Sequence, residues 1–464
     1  MSFSIPTNHR VLLIFISWTL FITGCAGPVA THEEAVQGIK GEDGISNKAP
    51  STWAAENTGS GVVANDFVDD GWLKSFGDEQ LDQLVDEALA NNPDLKVSGA
   101  KVEQAESMAR MAGAALKPSI GIGGSYSDRN NSGLDDIAYG SVKASWEPDV
   151  WGRIAASVAS AEEKAQASAL DYRFARLSLA ASVSNSWFLA IESKLQLRFA
   201  REVKEIRQNT LNTANARYKV GRIDKHEVLL ARANLAAANE AERQALSAVE
   251  DSARSLELLL GRYPAAEIEI TDELVAMPPP FPLGIPSQIL ERRPDLVAAE
   301  NQVAAAFYRE KEAKLLHLPR FTFSLGLGAN TINDSITSLA AGVFSPLYTG
   351  GAIAAEVERA TAVQKEAINS YAQAALQAFR EVESSLAAEE YLAERQHYMR
   401  IDVENSYKAY RVMMVQYKVG KISLVDTLTV QAQWEEAKIS LINLTAQHLA
   451  NRVQLHLALG GSFE

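Results

Sequence analysis

The hydrophobic residues follow a seven-residue pattern through two long stretches of the chain. These stretches, from Gly152 to Tyr218 and from Gly351 to Tyr417, have no internal proline or glycine. Apolar or small residues recur at alternating spacings of four and three, which is typical of a coiled-coil seam. At 1.5 Å per residue, each stretch predicts a helix of roughly 100 Å. The seam positions are Leu170, Phe174, Leu177, Ala181, Ser184, Phe188, Ile191 and Leu195, and then Ile368, Ala372, Ala375, Phe379, Val382 and Leu386.

Before each long stretch, the pattern changes to a period of two. In "SIGIGGSYS", "SVKASWE" and "FTFSLGLG", small or polar residues alternate with apolar ones. This alternation predicts strands in which Ile122 and Phe323 lie on an apolar face, while Ser125 and Ser324 lie on the opposite one. The fourth segment, around 339–344, alternates less cleanly.

Together the four segments predict two β-hairpins, at 119–147 and 320–345. The polar turn "DRNNSGLDD" joins the strands of the first hairpin. Each strand has roughly nine residues, which is close to the length of a tilted membrane strand. A soluble hairpin with one wet face is compatible with the same alternation.

The chain repeats itself at a spacing of about 200 residues. The phrases "RYKVGRI" and "QYKVGKI" contain Gly221 and Gly420, which are 199 residues apart. Four more pairs keep the same order at nearly the same spacing: Pro93 and Pro294, Pro118 and Pro319, Pro148 and Pro346, and Gly261 and Gly460. This agreement predicts a tandem duplication, with a unit far longer than a solenoid repeat.

The repeated phrase predicts the tip of a helical hairpin. Each long helix ends there, and a second helical pattern returns, from about Glu227 to Leu260 and from Val425 to Leu459. The strands and the tips therefore lie at opposite ends of a long rod.

Two hairpins supply four strands, and four strands cannot close a sheet. Open sheet edges are not tolerated in lipid, and single-chain barrels begin at about eight strands. If these strands cross a membrane, several chains must share one barrel. The sequence thus predicts an oligomer.

The N-terminus predicts an export signal and a lipid attachment site. An apolar stretch, "VLLIFISWTLFIT", ends just before Cys25, the only cysteine in the chain. It is shorter than a spanning helix and has the length of a signal-peptide core. "FITGC" resembles a bacterial lipobox, in which the cysteine is lipidated; a buried or free thiol is the alternative. Ala26, next in the chain, favours sorting to the outer membrane.

Composition argues against nucleic-acid binding, and the motifs argue against catalysis. The formal net charge is −14, which is unlike a nucleic-acid binder. The sequence "HEVLL" fails the H-E-x-x-H metal pattern because Leu230 occupies the last position. "GIGGSY" has Tyr126 where a dinucleotide loop needs its last glycine. We therefore expect neither an enzyme nor a cofactor, apart from the covalent lipid on Cys25.

Several motifs together resemble the outer membrane factor family, the TolC and OprM type of exit duct. They are "WLKSFGDEQLDQLVDEALANNPDL", "EPDVWGRI", "RYKVGRI", "ERRPDL" and "FSPLYTGG", and the similarity extends from Trp72 to Gly461. The resemblance implies a homotrimer with a shared twelve-stranded β-barrel in the outer membrane of a Gram-negative cell and an α-helical barrel across the periplasm. It also implies a periplasmic adaptor and an inner-membrane transporter as partners.

The predicted lipidation and the motif "EPDVWGRI" make the chain similar to the drug-efflux branch of the family. This branch implies a transporter of the RND type. The alternatives are a duct for protein secretion or metal export and, in a different class, a periplasmic coiled-coil adaptor or scaffold lipoprotein. The predicted organisation is a signal peptide at 1–24, a lipid-anchored leader at 25–77, repeat 1 at 78–262, a linker at 263–283 and repeat 2 at 284–464.

The resemblance also implies a gate at the hairpin tips. Acidic residues there, Glu227 and Asp426, would narrow the periplasmic opening, as would the aromatic residues Tyr417 and Tyr218. The basic gate partner of the family falls on Ile422, which cannot pair, so Lys421 or Arg222 would replace it. The tip glycines, Gly221 and Gly420, would contact the adaptor or the transporter. Carboxylates that only stabilise the start of a solvated helix are the alternative.

Replacing Cys25 with serine tests the lipid assignment. Because Cys25 is the only thiol, we expect the Cys25→Ser variant to lose all acyl labelling and to be processed abnormally. Metabolic labelling with palmitate measures this. Label retained on the serine variant would contradict the assignment.

Overall fold

The structure is a computed structural model that describes residues 53–54, 71–127, 137–279, 286–330 and 335–462. The predicted signal peptide, Cys25, most of the leader and the turn at 128–136 lie outside these residues. Each half of the chain has the same order of elements: short helices, a β-hairpin and a hairpin of two long helices.

The first half contains α1 (Glu79–Asn91), α2 (Pro93–Ala114), β1 (Ser119–Ser127), β2 (Ile137–Trp146), α3 (Arg153–Lys219) and α4 (Lys225–Leu259). The second half contains α5 (Ile289–Arg292), α6 (Pro294–Leu315), β3 (Arg320–Asn330), β4 (Ile336–Phe344), α7 (Ala352–Val419) and α8 (Leu424–Ala458). Single 3₁₀ turns, Trp72–Phe76 and Pro286–Gln288, precede α1 and α5.

A proline separates the two short helices of the first half, as its sequence predicts. Pro93 takes the first position of α2, where its missing N–H costs nothing. The Asn92 side chain caps α2 by accepting a hydrogen bond from Leu95 N at 2.9 Å. Its amide also donates to Leu259 O at 2.9 Å, which fixes the break against the end of α4.

The four strands form one antiparallel sheet in chain order. The register brings the predicted faces together, since Ile122 pairs with Val142, and Val142 pairs with Leu327. Strand β4 begins at Ile336, three residues before the predicted start. The apolar face is open in the protomer, where the Ile122 side chain is 87% exposed. Within the described residues, the outer edges of β1 and β4 have no strand partner.

The long helices pack with small residues at their seams. On α3, the seam residues Ala181, Ser184 and Phe188 are fully or almost fully buried, and on α7 Ala375 and Val382 are fully buried. Because alanine and serine are small, the helices can approach closely. No helix in the described ranges is long and apolar enough to span a membrane.

The middle of the rod contains the main hydrophobic core. There α1 packs on α3, and the fully buried Trp187 donates its indole N–H to the Asp78 carboxylate at 2.8 Å. Arg452 of α8 donates to Pro278 O at 3.1 Å and to Pro279 O at 2.9 Å, which ties the segment between the two repeats to this core. Burial opposes ionisation of Glu389, but hydrogen bonds from His448 and Arg452 lower the pKa of Glu389 to about 2.

Arginine substitutions on the two faces of β1 test the orientation of the sheet. On the apolar face, Ile122→Arg should cost about 2–4 kcal/mol of folding free energy near the bilayer midplane. Ser125→Arg, on the opposite face of the same strand, is the matched control and should be tolerated. The yield of SDS-resistant oligomer measures both, and equal tolerance would contradict the orientation.

Candidate functional site at the hairpin tips

Each helical hairpin turns on a glycine in the left-handed region. Gly221 has φ 67° and Gly420 has φ 85°, a backbone conformation that residues with a Cβ rarely adopt. At the first tip, Gly221 N donates to Tyr218 O and Arg222 N donates to Arg217 O, both at 2.9 Å. The second tip repeats both bonds around Gly420, at 2.9 and 3.0 Å. This is the Schellman motif, and it explains why the same phrase occurs twice.

The two tips pack on one another through a small apolar cluster, here called the tip cluster. Its buried members come from both hairpins: Ala214, Val228, Ala231, Tyr417 and Leu424. Half-buried residues surround them, among them Ile223 and Ile422. Ile422 occupies the position at which the resemblance implies a basic gate residue, and its side chain packs on the tip cluster instead.

Arg217 joins the two tips. Its Nη1 donates to Tyr417 O at 2.8 Å, and its guanidinium carbon lies 4.6 Å from the centre of the Tyr417 ring. Both contacts cross from α3 to α7, and the second is a cation–π interaction. Sequence reasoning missed Arg217, although one signal was present: Gln416 occupies the equivalent position in the second phrase.

Tyr417 and Glu227 interact electrostatically at the tips. Tyr417 is fully buried, and burial raises the pKa of its phenol. The negative charge of Glu227 raises this pKa further, while Arg217 lowers it. Glu227 Oε2 is buried, and within the described part of the chain it has no hydrogen-bond partner.

Asp426, the counterpart of Glu227, is in a different environment. It is exposed at the start of α8 and accepts a hydrogen bond from Ser423 Oγ at 2.7 Å. Ser423 Oγ in turn accepts one from Asp426 N at 3.2 Å, which caps the helix. Within the protomer, Asp426 therefore acts as a helix-start carboxylate.

The remaining predicted gate residues are exposed. Tyr218 is 46% exposed, unlike its buried counterpart Tyr417. Arg222 and Lys421 extend from the turns, and neither forms an ion pair with any described residue. Of the predicted gate side chains, Glu227 and Tyr417 each have a buried polar atom, whereas the others are exposed.

Above the tips, a buried ion pair and an aromatic stack join the hairpins. Arg207 of α3 donates from Nη2 to both carboxylate oxygens of Glu435 on α8, each at 2.9 Å. Beside this pair, the rings of Tyr410 and Trp434 stack 5.3 Å apart, and the edge of Phe199 meets Trp434. These contacts fix the position of one tip against the other.

Comparison with known proteins defines the class, which is that of outer-membrane exit channels. A family model described as outer membrane efflux protein matches residues 84–262 and 285–461, one match in each repeat. The chain belongs to the outer membrane efflux protein family.

Relatives and solved structures agree along most of the chain. The pyoverdine export outer membrane protein OpmQ of Pseudomonas aeruginosa is 29% identical over 443 residues, with 90% of this chain and 92% of OpmQ covered. The cation efflux system protein CusC of Escherichia coli is 26% identical over 440 residues, covering 89% and 93%. The crystal structure of the Campylobacter jejuni CmeC outer membrane channel has a TM-score of 0.81 at 23% identity, covering 86% of this chain and 90% of CmeC.

These findings confirm the predicted family, fold class, function and outer-membrane location. The chain is the outer-membrane exit channel of a tripartite efflux pump, and it extends into the periplasm. It acts as a homotrimer together with a periplasmic adaptor and an inner-membrane transporter. The family is one of channels rather than of enzymes.

Replacing Arg217 with its repeat counterpart tests the link between the tips. Arg217→Gln removes a hydrogen bond and a cation–π contact, so we expect the tips to be destabilised by about 1–2 kcal/mol. Backbone amides around Tyr417 should then exchange with deuterium faster in the purified trimer. Arg222→Gln, an exposed arginine without an ion pair, is the control. Equal exchange in the two variants would contradict the role of Arg217.

Proposed function

We propose that this channel exports small organic molecules and that its periplasmic end is closed by the hairpin tips, with Glu227 and Tyr417 as the central gate residues. The observation that carries the gate is that Glu227 Oε2 is buried and has no hydrogen-bond partner among the described residues. A buried acceptor without a hydrogen-bond partner costs free energy of folding. We therefore expect this position of Glu227 to serve a purpose that the isolated protomer does not show.

In a homotrimer, each tip carboxylate becomes part of a ring of three. Such rings attract cations and repel anions. Glu227 lies on α4 next to Val228, a member of the tip cluster, and its charge acts on Tyr417. Asp426 stands at the exposed start of α8 and adds charge at the opening. Opening requires the two tips to separate, which breaks the contacts of Arg217.

The proposed cargo rests on the chemistry of the strands and on the relatives. The face opposite the apolar one consists mostly of serine, threonine and glycine, and this composition is compatible with small polar organic molecules. The relative at 29% identity is named for pyoverdine export. A relative at 26% identity is named for cation efflux, so metal export is the second candidate.

The remaining assignments are part of the same proposal. Cys25 carries the lipid that anchors the N-terminal leader, and the inner-membrane partner is a transporter of the RND type. "FITGC" and "EPDVWGRI" are the motifs that support them.

Removing the two tip carboxylates tests the gate. We expect the double variant Glu227→Ala with Asp426→Ala to keep its trimer, to conduct severalfold more in planar bilayers and to be blocked less by multivalent cations. Of the single variants, Glu227→Ala should have the larger effect on conductance, because Glu227 has a buried carboxylate oxygen and Asp426 is exposed.

Asp402→Ala is the control, since Asp402 is an exposed carboxylate of α7 outside the tip cluster. If the double variant conducts like the unmodified trimer and is blocked by cations to the same extent, Glu227 and Asp426 do not form the gate. A larger effect from Asp426→Ala alone would contradict the assignment of Glu227 as the central residue.

A further inference from the structure

Lys143 lies inside the four-stranded sheet, on the face opposite the apolar one. Its register neighbours are Gly121 on β1 and Gly326 on β3. Neither neighbour has a side chain beside the lysine. The residue is exposed and forms no ion pair with any described residue.

The glycine on β3 leaves room for the side chain of its other neighbour. A Cβ at position 326 would lie 2.5 Å from Ser338 Oγ, so the serine side chain would have to turn away. At position 121, a Cβ would meet no atom within 4 Å. The row across the sheet thus reads glycine, lysine, glycine, serine, and the ammonium group is its only charge.

The described strands contain one other charged residue, which is also basic. Arg320 begins β3, and its even register position puts it on the same face as Ser324 and Gly326. The six residue steps from Arg320 to Gly326 span roughly 20 Å along the strand. Positive charge is therefore placed at two levels of this face, in a chain whose formal net charge is −14.

We propose that Lys143 forms a ring of three ammonium groups inside the exit channel and that this ring binds anionic small molecules on their way out. The inference rests on the proposed function, since only three chains around one lumen turn a single lysine into a ring. It adds to that function the charge of the cargo: organic anions, with carboxylate, sulfonate or phosphate groups.

The dimensions support an interaction between the three lysines and one solute. Twelve strands spaced about 4.8 Å apart and tilted about 40° enclose a barrel roughly 25 Å across. A lysine side chain reaches about 6 Å inward, so the ammonium groups lie roughly 10–12 Å apart, close to the Debye length of ~8 Å in physiological salt. A small anion inside the ring is therefore within the field of all three charges.

A trivalent anionic blocker tests the ring. We would insert the full-length trimer into planar bilayers and add a pyrene trisulfonate dye to the side facing the strands. Exposed ion pairs are individually weak, so the block depends on all three ammonium groups together. We therefore expect Lys143→Gln to raise the half-blocking concentration about tenfold, while Lys143→Arg keeps the block. Lys117→Gln is the matched control, because Lys117 is exposed but lies before β1.

Chemical restoration of the charge separates electrostatics from folding. Lys143→Cys should lose the block and regain it after reaction with an aminoethyl thiosulfonate, which returns a positive group to the position. The same reagent on the unmodified trimer controls for Cys25. If the Lys143→Gln channel conducts and the dye blocks it at the same concentration as before, the ring is overturned and the channel is not. Absence of current even from the trimer with Glu227→Ala and Asp426→Ala, in which the proposed gate is weakened, would overturn the proposed function and the ring with it.

Discussion

The unpaired edges of the sheet are the constraint on which the rest of the structure depends. Among the described residues, β1 and β4 each leave one row of backbone N–H and C=O groups without a strand partner. In lipid, each such group costs several kcal/mol. Other copies of the chain must therefore satisfy both edges, because four strands are too few to close a sheet. Assembly is a condition of folding in the membrane, and the channel results from assembly.

The same constraint explains the shape of the helical part. Once three sheets close around a lumen, the helices that follow β2 and β4 continue the same wall into the periplasm. Their seams use alanine and serine, so neighbouring helices can lie close without a solid core between them. The buried Arg207–Glu435 pair fixes the position of the helices more than it stabilises the fold, since the desolvation of two charges offsets much of their attraction. This pair sets α8 against α3 at one height along the rod, and so fixes the height at which the tips meet.

The local patterns of the sequence predicted the elements well. The heptads predicted α3 and α7 to within two residues, and the alternation predicted both faces of the sheet, because each depends only on neighbouring positions. Repeat symmetry predicted equivalent tips, but the environments of the two tips differ. Tyr417 is buried and Tyr218 is exposed, because only Tyr417 is among the residues that the two hairpins bury between them. The contacts of Arg217 and Arg207 join residues at least 200 positions apart, so no local pattern could reveal them.

The distribution of charge gives the channel two ends that act independently. The tips carry Glu227 and Asp426, while the strands carry Lys143 and Arg320. Between them lies α3, whose 67 residues extend roughly 100 Å. That length exceeds the Debye length of ~8 Å by an order of magnitude, so neither end is affected by the field of the other. Under the proposed function, a solute first passes the tip carboxylates Glu227 and Asp426, at an entrance that opens by movement of the tips. It then passes the proposed lysine ring, which needs no movement. Because the lysines are exposed to water, their hold on any one anion is weak, which is the condition for release to the outside.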